Sequence, residues 1–186
     1  MHAEITREAN GVINRRSLLI GAVGAGVLPI LSHHAFARSV ETPGTHEDER
    51  LMREAITEAK LGDYPFGAVI VHDGKVLAKG RNLGKLEHDP TAHGEMVAIR
   101  QFLKTHGPEK LKGATLYTSG EPCCMCMGAI IWCGISRLVF AASVDQLAGK
   151  IGQIMIGSAE VANKTPFATI NITGGVLAGE AMALFN

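Results

Sequence analysis

The residues with the clearest chemistry are a histidine, a glutamate and a pair of cysteines. His93 and Glu95 are two positions apart, and 26 residues separate Glu95 from a Pro-Cys-Cys-Met-Cys stretch that holds Cys123 and Cys126. One imidazole and two thiolates are ligands that zinc prefers in tetrahedral sites, and three protein ligands leave the fourth position open for a reactive water. Glu95 is placed to move protons beside that water. The spacing therefore predicts one Zn²⁺ per chain, held by His93, Cys123 and Cys126, with Glu95 as the catalytic residue.

All four cysteines lie on one predicted helix, which limits which of them can share a metal. Cys123 and Cys126 are about one helical turn apart and can face the same ion, whereas Cys124 points away from it. Cys133 lies about 10 Å further along the axis at 1.5 Å per residue, too far to complete the site. We expect Cys124 and Cys133 to be buried thiols that pack as small hydrophobic side chains.

Apolar periodicity and turn signals predict an alternation of helices and strands. Asp73-Gly74 is a hairpin turn signal, and a hairpin followed by β-α-β crossovers favours an α/β fold with a mixed sheet and helices on both faces. The predicted elements are a helix over 46–60, strands over 67–71 and 75–80, a helix from about 91 to 105, a strand over 114–118, a helix beginning at Pro122, a strand over 137–142, a short helix near 158–163, a strand near 168–173 and a final helix to Phe185.

The N-terminal stretch has the three regions of a bacterial export signal. Arg15-Arg16 precede an apolar run that continues to Leu31, and Ala35-Phe36-Ala37 offers small residues to a signal peptidase. Paired arginines are typical of twin-arginine export. The run holds about 14 apolar residues, short of the roughly 20 that span a bilayer, which favours a cleaved signal over the alternative of an uncleaved anchor. We therefore predict a signal peptide over 1–37, a linker over 38–45, a catalytic domain over 46–186, a periplasmic location and no stable membrane anchor.

Charge argues against a polyanionic partner. From Arg38 onward the chain holds 15 lysines and arginines against 16 aspartates and glutamates, with no basic cluster. Proteins that bind nucleic acid neutralise phosphates with clustered lysine and arginine. We expect no nucleic-acid partner.

The combination of H-x-E with P-C-x-x-C resembles the signature of the zinc-dependent nucleobase and nucleoside deaminases, the cytidine deaminase-like superfamily. The resemblance covers roughly residues 45–186. It implies the three-layer α-β-α fold of that superfamily, with a central sheet of about five strands, and hydrolytic deamination. A zinc-activated water attacks the ring carbon that carries the amine, Glu95 transfers the protons, and ammonia leaves.

The same resemblance implies where the base binds. Asn82 corresponds to an asparagine that hydrogen-bonds the substrate, although an ordinary turn asparagine is the alternative. Phe66 corresponds to a pocket-wall position and either stacks on the base or packs in the core. Phe185 is similar to C-terminal aromatic residues that close the pocket in free-base deaminases. Asp145 is either a second proton shuttle, as in guanine deaminases, or a helix cap, and the cap is favoured.

The substrate stays open among three branches. The stretches 89–93 and 121–126 favour guanine deaminases, whereas Gly94 favours yeast-type cytosine deaminases, and tRNA adenosine deaminases share the cysteine motif. We expect a small-molecule substrate, guanine first, with cytosine or a nucleoside next and tRNA adenosine after that. A redox protein or a zinc-binding module without activity is the alternative outside the class.

The family is commonly dimeric, so a homodimer is expected. The apolar stretch from Met127 to Ile135 either contacts a partner or is core, and Trp132 belongs to the pocket, the core or the dimer contact.

Overall fold

The computed structural model of this chain describes residues 40–41 and 44–186. The predicted signal peptide, 1–37, lies outside the described residues. Within the part that is described, no helix is both long and apolar enough to cross a membrane.

The described residues form six strands and six α-helices. Their order is β1 (Val40–Glu41), α1 (His46–Ala59), β2 (Gly67–His72), β3 (Lys75–Arg81), α2 (Gly94–His106), β4 (Thr115–Gly120), α3 (Cys124–Trp132), β5 (Arg137–Ala142), α4 (Val144–Ala148), α5 (Ser158–Asn163), β6 (Asn171–Thr173) and α6 (Ala178–Met182), with 3₁₀ turns at Pro108–Leu111 and Ala183–Phe185.

The strands form one mixed sheet in the order β1-β6-β5-β4-β2-β3. The pairs β1–β6, β6–β5 and β5–β4 are parallel, whereas β4–β2 and β2–β3 are antiparallel. Asp73 and Gly74 close the β2–β3 hairpin with φ of 50° and 71°, the positive values that the tight hairpin turn requires. The predicted α/β fold with a mixed sheet is confirmed.

Strand alternation divides the core between the two faces of the sheet, because successive side chains of a strand point to opposite sides. Ala68 and Ile70 of β2 join a core cluster with side chains of α2 and α3 on one face. Val69 and Val71 join a second cluster with α1 on the other face. These helix layers on both faces give the expected three-layer arrangement.

Three local features differ from the prediction. The short helix α4 was not among the predicted elements, although a helix cap was favoured at Asp145; its start is instead capped by Ser143 and Gln146, which form a capping box. Cys123, rather than Pro122, caps α3, so Pro122 lies just before that helix. Val40–Glu41 lie within the stretch interpreted as a linker and pair with β6.

A partly buried ion pair links the helix α1 to the sheet. Asp48 is 1% exposed, and Arg137 of β5 contacts both of its carboxylate oxygens, at 2.7 and 3.0 Å. The Tyr117 hydroxyl and the Thr45 backbone N–H also donate to this carboxylate, at 2.9 and 2.8 Å. Burial acts to raise the pKa of Asp48, but the hydrogen bonds from Arg137, Thr45 and Tyr117 outweigh it, so the pKa lies well below its ordinary value.

Asp48→Asn should therefore destabilise the protein at neutral pH, because it leaves the partly buried Arg137 guanidinium without its counter-ion. The expected loss is about 3 kcal/mol in the free energy of unfolding, measured by urea denaturation.

The pH dependence of stability gives a second readout. A carboxyl group whose pKa is lowered by folding stabilises the protein above its ordinary pKa of about 4, and this stabilisation is lost as the pH falls below that value. Wild-type stability should therefore fall steeply below about pH 4, and this part of the slope should vanish in the variant. The matched control is Asp73→Asn, at an exposed turn position that tolerates asparagine; an equal loss there would contradict the prediction.

Candidate active site

The beginnings of α2 and α3 meet at one point. His93 is the N-cap of α2 and Cys123 is the N-cap of α3, both with extended backbones, and neither side chain caps its own helix. Glu95 lies in the first turn of α2, and Cys126 lies in the first turn of α3. The positive ends of both helix dipoles thus face the same small volume and favour anionic side chains there.

Three of these side chains form a candidate metal centre. The Nδ1 atom of His93 lies 3.7 Å from Cys123 Sγ and 3.6 Å from Cys126 Sγ, and all three ligand atoms lie within 4.8 Å of one another. Tetrahedral zinc with the usual Zn–N and Zn–S bonds places neighbouring ligand atoms ~3.6 Å apart. The donor set and its spacing therefore fit one Zn²⁺, as the sequence predicted.

Glycines let α2 lie close enough to the sheet to deliver its first turn to this point. A Cβ atom at Gly80 of β3 would collide with the backbone of Gly94 and Ala98 in α2. At Gly94, a Cβ would lie 3.0 Å from Phe66 O and 3.1 Å from the Cα of Gly67. Close packing against the sheet therefore explains why the middle residue of the His-Gly-Glu motif is a glycine in this chain.

Local charges favour a thiolate at Cys123. Hydrogen bonds from the Cys126 thiol and from His93 lower the pKa of Cys123 to about 4, against the opposing effect of burial. A thiolate, not a thiol, is the form that ligates a metal.

Glu95 is buried beside the three ligand residues, with 5% of its surface exposed. Burial raises its pKa above the ordinary glutamate value, and the nearby Cys123 adds to this effect. The Thr118 hydroxyl lies 3.4 Å from one carboxylate oxygen. A raised pKa makes the protonated form of this carboxyl group more accessible than that of an exposed glutamate, which favours a general acid–base role.

A cavity of about 380 Å³ opens onto Glu95 and His93. Two of the predicted substrate residues, Asn82 and Phe66, line it. The Asn82 Oδ1 atom accepts a hydrogen bond from Gly84 N at 3.1 Å, so its amide N–H groups are the part that can serve a ligand. The structure thus brings together the three candidate metal ligands, the buried Glu95 and two wall residues of the cavity.

Three other residues lie away from this cavity lining. Phe185 packs edge to face against the wall residue Phe66, with ring centroids 5.4 Å apart, and is not itself among the lining residues. Asp145 is exposed on the first turn of α4, where Ser143 provides the side-chain cap, so neither role considered for it is seen. Trp132 is 77% exposed, and its ring packs against that of Phe167, with ring centroids 4.7 Å apart.

The remaining cysteines differ from expectation. Cys124 and Cys133 are half-buried rather than buried. Both are free thiols and neither belongs to the metal cluster, as their helix positions predicted.

Residues 45–142 match the family described as the cytidine and deoxycytidylate deaminase zinc-binding region. This stretch contains the three ligand residues and Glu95, and it is more than half of the chain. The chain belongs to this family. Its members act on C–N bonds, which agrees with a buried carboxylate beside a zinc site.

Relatives of this deaminase act on more than one kind of substrate. The chain is 41% identical to the tRNA-specific adenosine deaminase of Haemophilus influenzae over 138 residues, covering 72% of this chain and 78% of that protein. It is 44% identical to the guanine deaminase of Bacillus subtilis over 99 residues, covering 50% of this chain and 64% of that protein. A solved structure from a study of A-to-I editing by tRNA:A34 deaminases is 31% identical, with a TM-score of 0.64, and covers 73% of this chain and 98% of that one.

The fraction of a relative's length that this chain spans differs widely between relatives. The chain spans only 8% of the length of the chloroplastic tRNA(adenine(34)) deaminase of Arabidopsis thaliana, to which it is 44% identical over 110 residues.

The deaminase cavity also has wall residues that the sequence did not reveal. Two of them, Glu121 and Gln153, are polar, and a third, Lys85, has its Nζ atom 4.7 Å from the ring centroid of Tyr64, another lining residue. Glu121 directly precedes the cysteine motif, which is a signal that could have found it. Gln153 lies in a stretch without helix or strand, where periodicity carries no information about what its side chain faces.

Metal analysis of two cysteine variants tests the deaminase ligand set. Cys126→Ser should lose its zinc on dialysis against a chelator that leaves the wild type with about one zinc per chain, because serine offers no thiolate. Cys124→Ser, two positions away on the same helix, should keep its zinc. Loss of metal from both variants, or from neither, would contradict this assignment.

Proposed function

We propose that the protein hydrolytically deaminates a free nucleobase or nucleoside, with guanine as the first candidate, and releases ammonia. The observation that carries this proposal is the buried Glu95 carboxylate, placed beside His93, Cys123 and Cys126 at the base of a cavity. The arrangement has a metal site with three protein ligands and a proton-transfer residue at the same point.

Each residue has a defined task in this reaction. His93, Cys123 and Cys126 would hold the zinc, which when bound would lower the pKa of its water toward neutrality. Glu95 takes the two protons of the attacking water in turn, and delivers one to the ring nitrogen and the other to the departing amine, which leaves as ammonia. Its raised pKa keeps the protonated form accessible between these steps. Asn82 donates to the base, and Phe66 lies against its ring.

The cavity supports a small ligand. Its volume of about 380 Å³ lies at the lower end of the range usual for small-molecule sites. The 44% identity to a guanine deaminase supports guanine as the first candidate. Cytosine and nucleosides are the next candidates, since the reacting amidine is common to them.

Deamination of adenosine in tRNA is the second candidate function, favoured by the similarity to tRNA-specific deaminases. Against it stands the charge of the chain, which is near neutral and without a basic cluster. Apart from the ligand His93, Lys85 is the one basic side chain among the described cavity-lining residues, where Glu95 and Glu121 are acidic.

Ammonia release from guanine, cytosine, adenine, their nucleosides and a tRNA transcript tests both candidates. We expect turnover of a base or nucleoside, fastest with guanine, and none of the tRNA. Glu95→Gln should keep its zinc but lose at least about a hundredfold in kcat, because the amide cannot transfer the proton. Glu87→Gln, the same change at an exposed position, is the control.

Two results would overturn the enzymatic proposal. Ammonia release at equal rates by wild type and Glu95→Gln would remove Glu95 from the reaction. A protein that binds zinc and releases no ammonia from any of these compounds would be a zinc-binding module. A redox protein would instead oxidise Cys123 and Cys126 to a disulfide reversibly, in a process that does not need Glu95.

We further propose export by the twin-arginine route, supported by Arg15-Arg16 and the small residues at 35–37. The mass of the protein recovered from the periplasm should correspond to a chain that begins at Arg38. Replacement of Arg15 and Arg16 by lysine should retain the protein in the cytoplasm. Recovery of full-length protein in the membrane fraction would support the uncleaved anchor instead.

A homodimer is also part of the proposal, on the family resemblance. Met127, Ile130, Ile131 and Ile135 are buried in the core of their own chain, so these positions of the apolar stretch are not free for a partner. The mostly exposed Trp132 and Phe167 pair is the apolar surface that supports a contact between chains.

A further inference from the structure

Glu121 is a cavity-lining residue close in sequence to the candidate metal ligands. It directly follows β4 and comes two residues before the ligand Cys123. Its backbone N–H donates to Ala142 O at 2.7 Å, which fixes it against the end of β5. Its side chain is half-buried and lines the cavity.

The two oxygens of the Glu121 carboxylate bind the starts of two different helices. Oε2 accepts a hydrogen bond from Val144 N at 2.9 Å, and Oε1 accepts one from Ser158 N at 2.7 Å. Val144 and Ser158 are the first residues of α4 and α5, whose N–H groups have no partner within their own helices. Bonds from backbone N–H groups to a carboxylate are charge-assisted and stronger than neutral ones.

The chain between these helices, residues 149–157, is here called the wall segment, and it contains no helix or strand. Ile151, Gly152 and Gln153 of this segment line the cavity. Its backbone hydrogen bonds are local, such as Ile151 N to Leu147 O at 2.9 Å and Ile156 N to Ile154 O at 2.8 Å. The Glu121 carboxylate thus binds the chain on both sides of the segment.

We propose that Glu121 is a positioning residue that holds both ends of the wall segment, so that Gln153 meets the substrate and sets which bases the enzyme accepts. The carboxamide of Gln153 has a donor and an acceptor, so it can pair with a base edge on which a carbonyl or ring nitrogen adjoins an N–H group. A site built to hydrogen-bond such an edge rejects bases that lack it, because its own polar groups would be left unpaired. The substrate part of this inference rests on the proposed function.

Glu121→Gln tests the role of the carboxylate. The amide is nearly the same size, but it has one acceptor oxygen and no charge, so it cannot hold both helix starts. We expect a KM about tenfold higher for the preferred base, kcat changed by less than about threefold, and a zinc content of about one per chain. Glu160→Gln, an exposed position on α5 that pairs with Lys164, should behave as wild type.

Hydrogen exchange gives a readout that does not depend on catalysis. Amides of the wall segment, together with those of Val144 and Ser158, should exchange faster in Glu121→Gln than in wild type, while amides of β4 and β5 should not change. This measurement distinguishes the two proposals. If wild type deaminates nothing, the proposed function fails, and unchanged exchange in the wall segment would still overturn the role of Glu121.

The double variant Glu121→Gln/Gln153→Ala tests whether Glu121 acts through Gln153. Gln153→Ala alone should raise KM and reduce the difference in KM between bases. In the double variant, the fold-increase in KM should be smaller than the product of the two single fold-increases. Fold-increases in KM that multiply fully would overturn the coupling between Glu121 and Gln153.

A lower melting temperature with unchanged KM, or loss of zinc, in Glu121→Gln would overturn the positioning role. If that variant does not fold, Gln153→Ala still decides, because an unchanged KM and base preference would exclude Gln153.

Discussion

The close approach of α2 to the β2–β3 hairpin is the constraint on which the site depends. Gly80 and Gly94 leave no side chain between strand and helix, so the backbones can pack directly. This packing brings His93 and Glu95 to the start of α3, where His93 Nδ1 lies within 3.7 Å of both ligand sulfurs. A larger residue at either glycine would move the histidine relative to the cysteines, and a metal site tolerates little displacement of its ligands.

The same packing gives Glu95 the environment that its chemistry requires. In the first turn of a helix a carboxylate is stabilised by the dipole, which acts to lower its pKa. Burial acts in the opposite direction and is the larger effect, so the pKa of Glu95 is raised. An exposed glutamate at the same helix position would remain a carboxylate at neutral pH and would be a poorer proton donor to a leaving amine.

The candidate metal site lies on regular elements of the chain, whereas part of the cavity lining lies on an irregular segment. The candidate metal ligands and Glu95 come from the N-caps and first turns of two helices, which pack on the sheet through its core clusters. Ile151, Gly152 and Gln153 come from a segment without regular structure, whose neighbouring helices are bound by Glu121. Rigid elements suit the reaction, which relatives share, and irregular segments suit the recognition of different substrates. Sequence similarity to both guanine and tRNA adenosine deaminases is consistent with this division.

The sequence by itself predicted the three residues of the candidate metal site, the position of Glu95 beside them, the α/β fold and most of its elements. These follow from local spacing: one helical turn separates Cys123 from Cys126, strands alternate with period two, and Asp73-Gly74 specifies a tight turn. Only the tertiary structure decided what residues far apart in sequence do together. Phe185 packs against the wall residue Phe66, Asp48 pairs with Arg137 across 89 positions, and Glu121 accepts hydrogen bonds from the starts of α4 and α5. Such contacts depend on how helices and strands pack in space, and no short-range pattern in the chain records that packing.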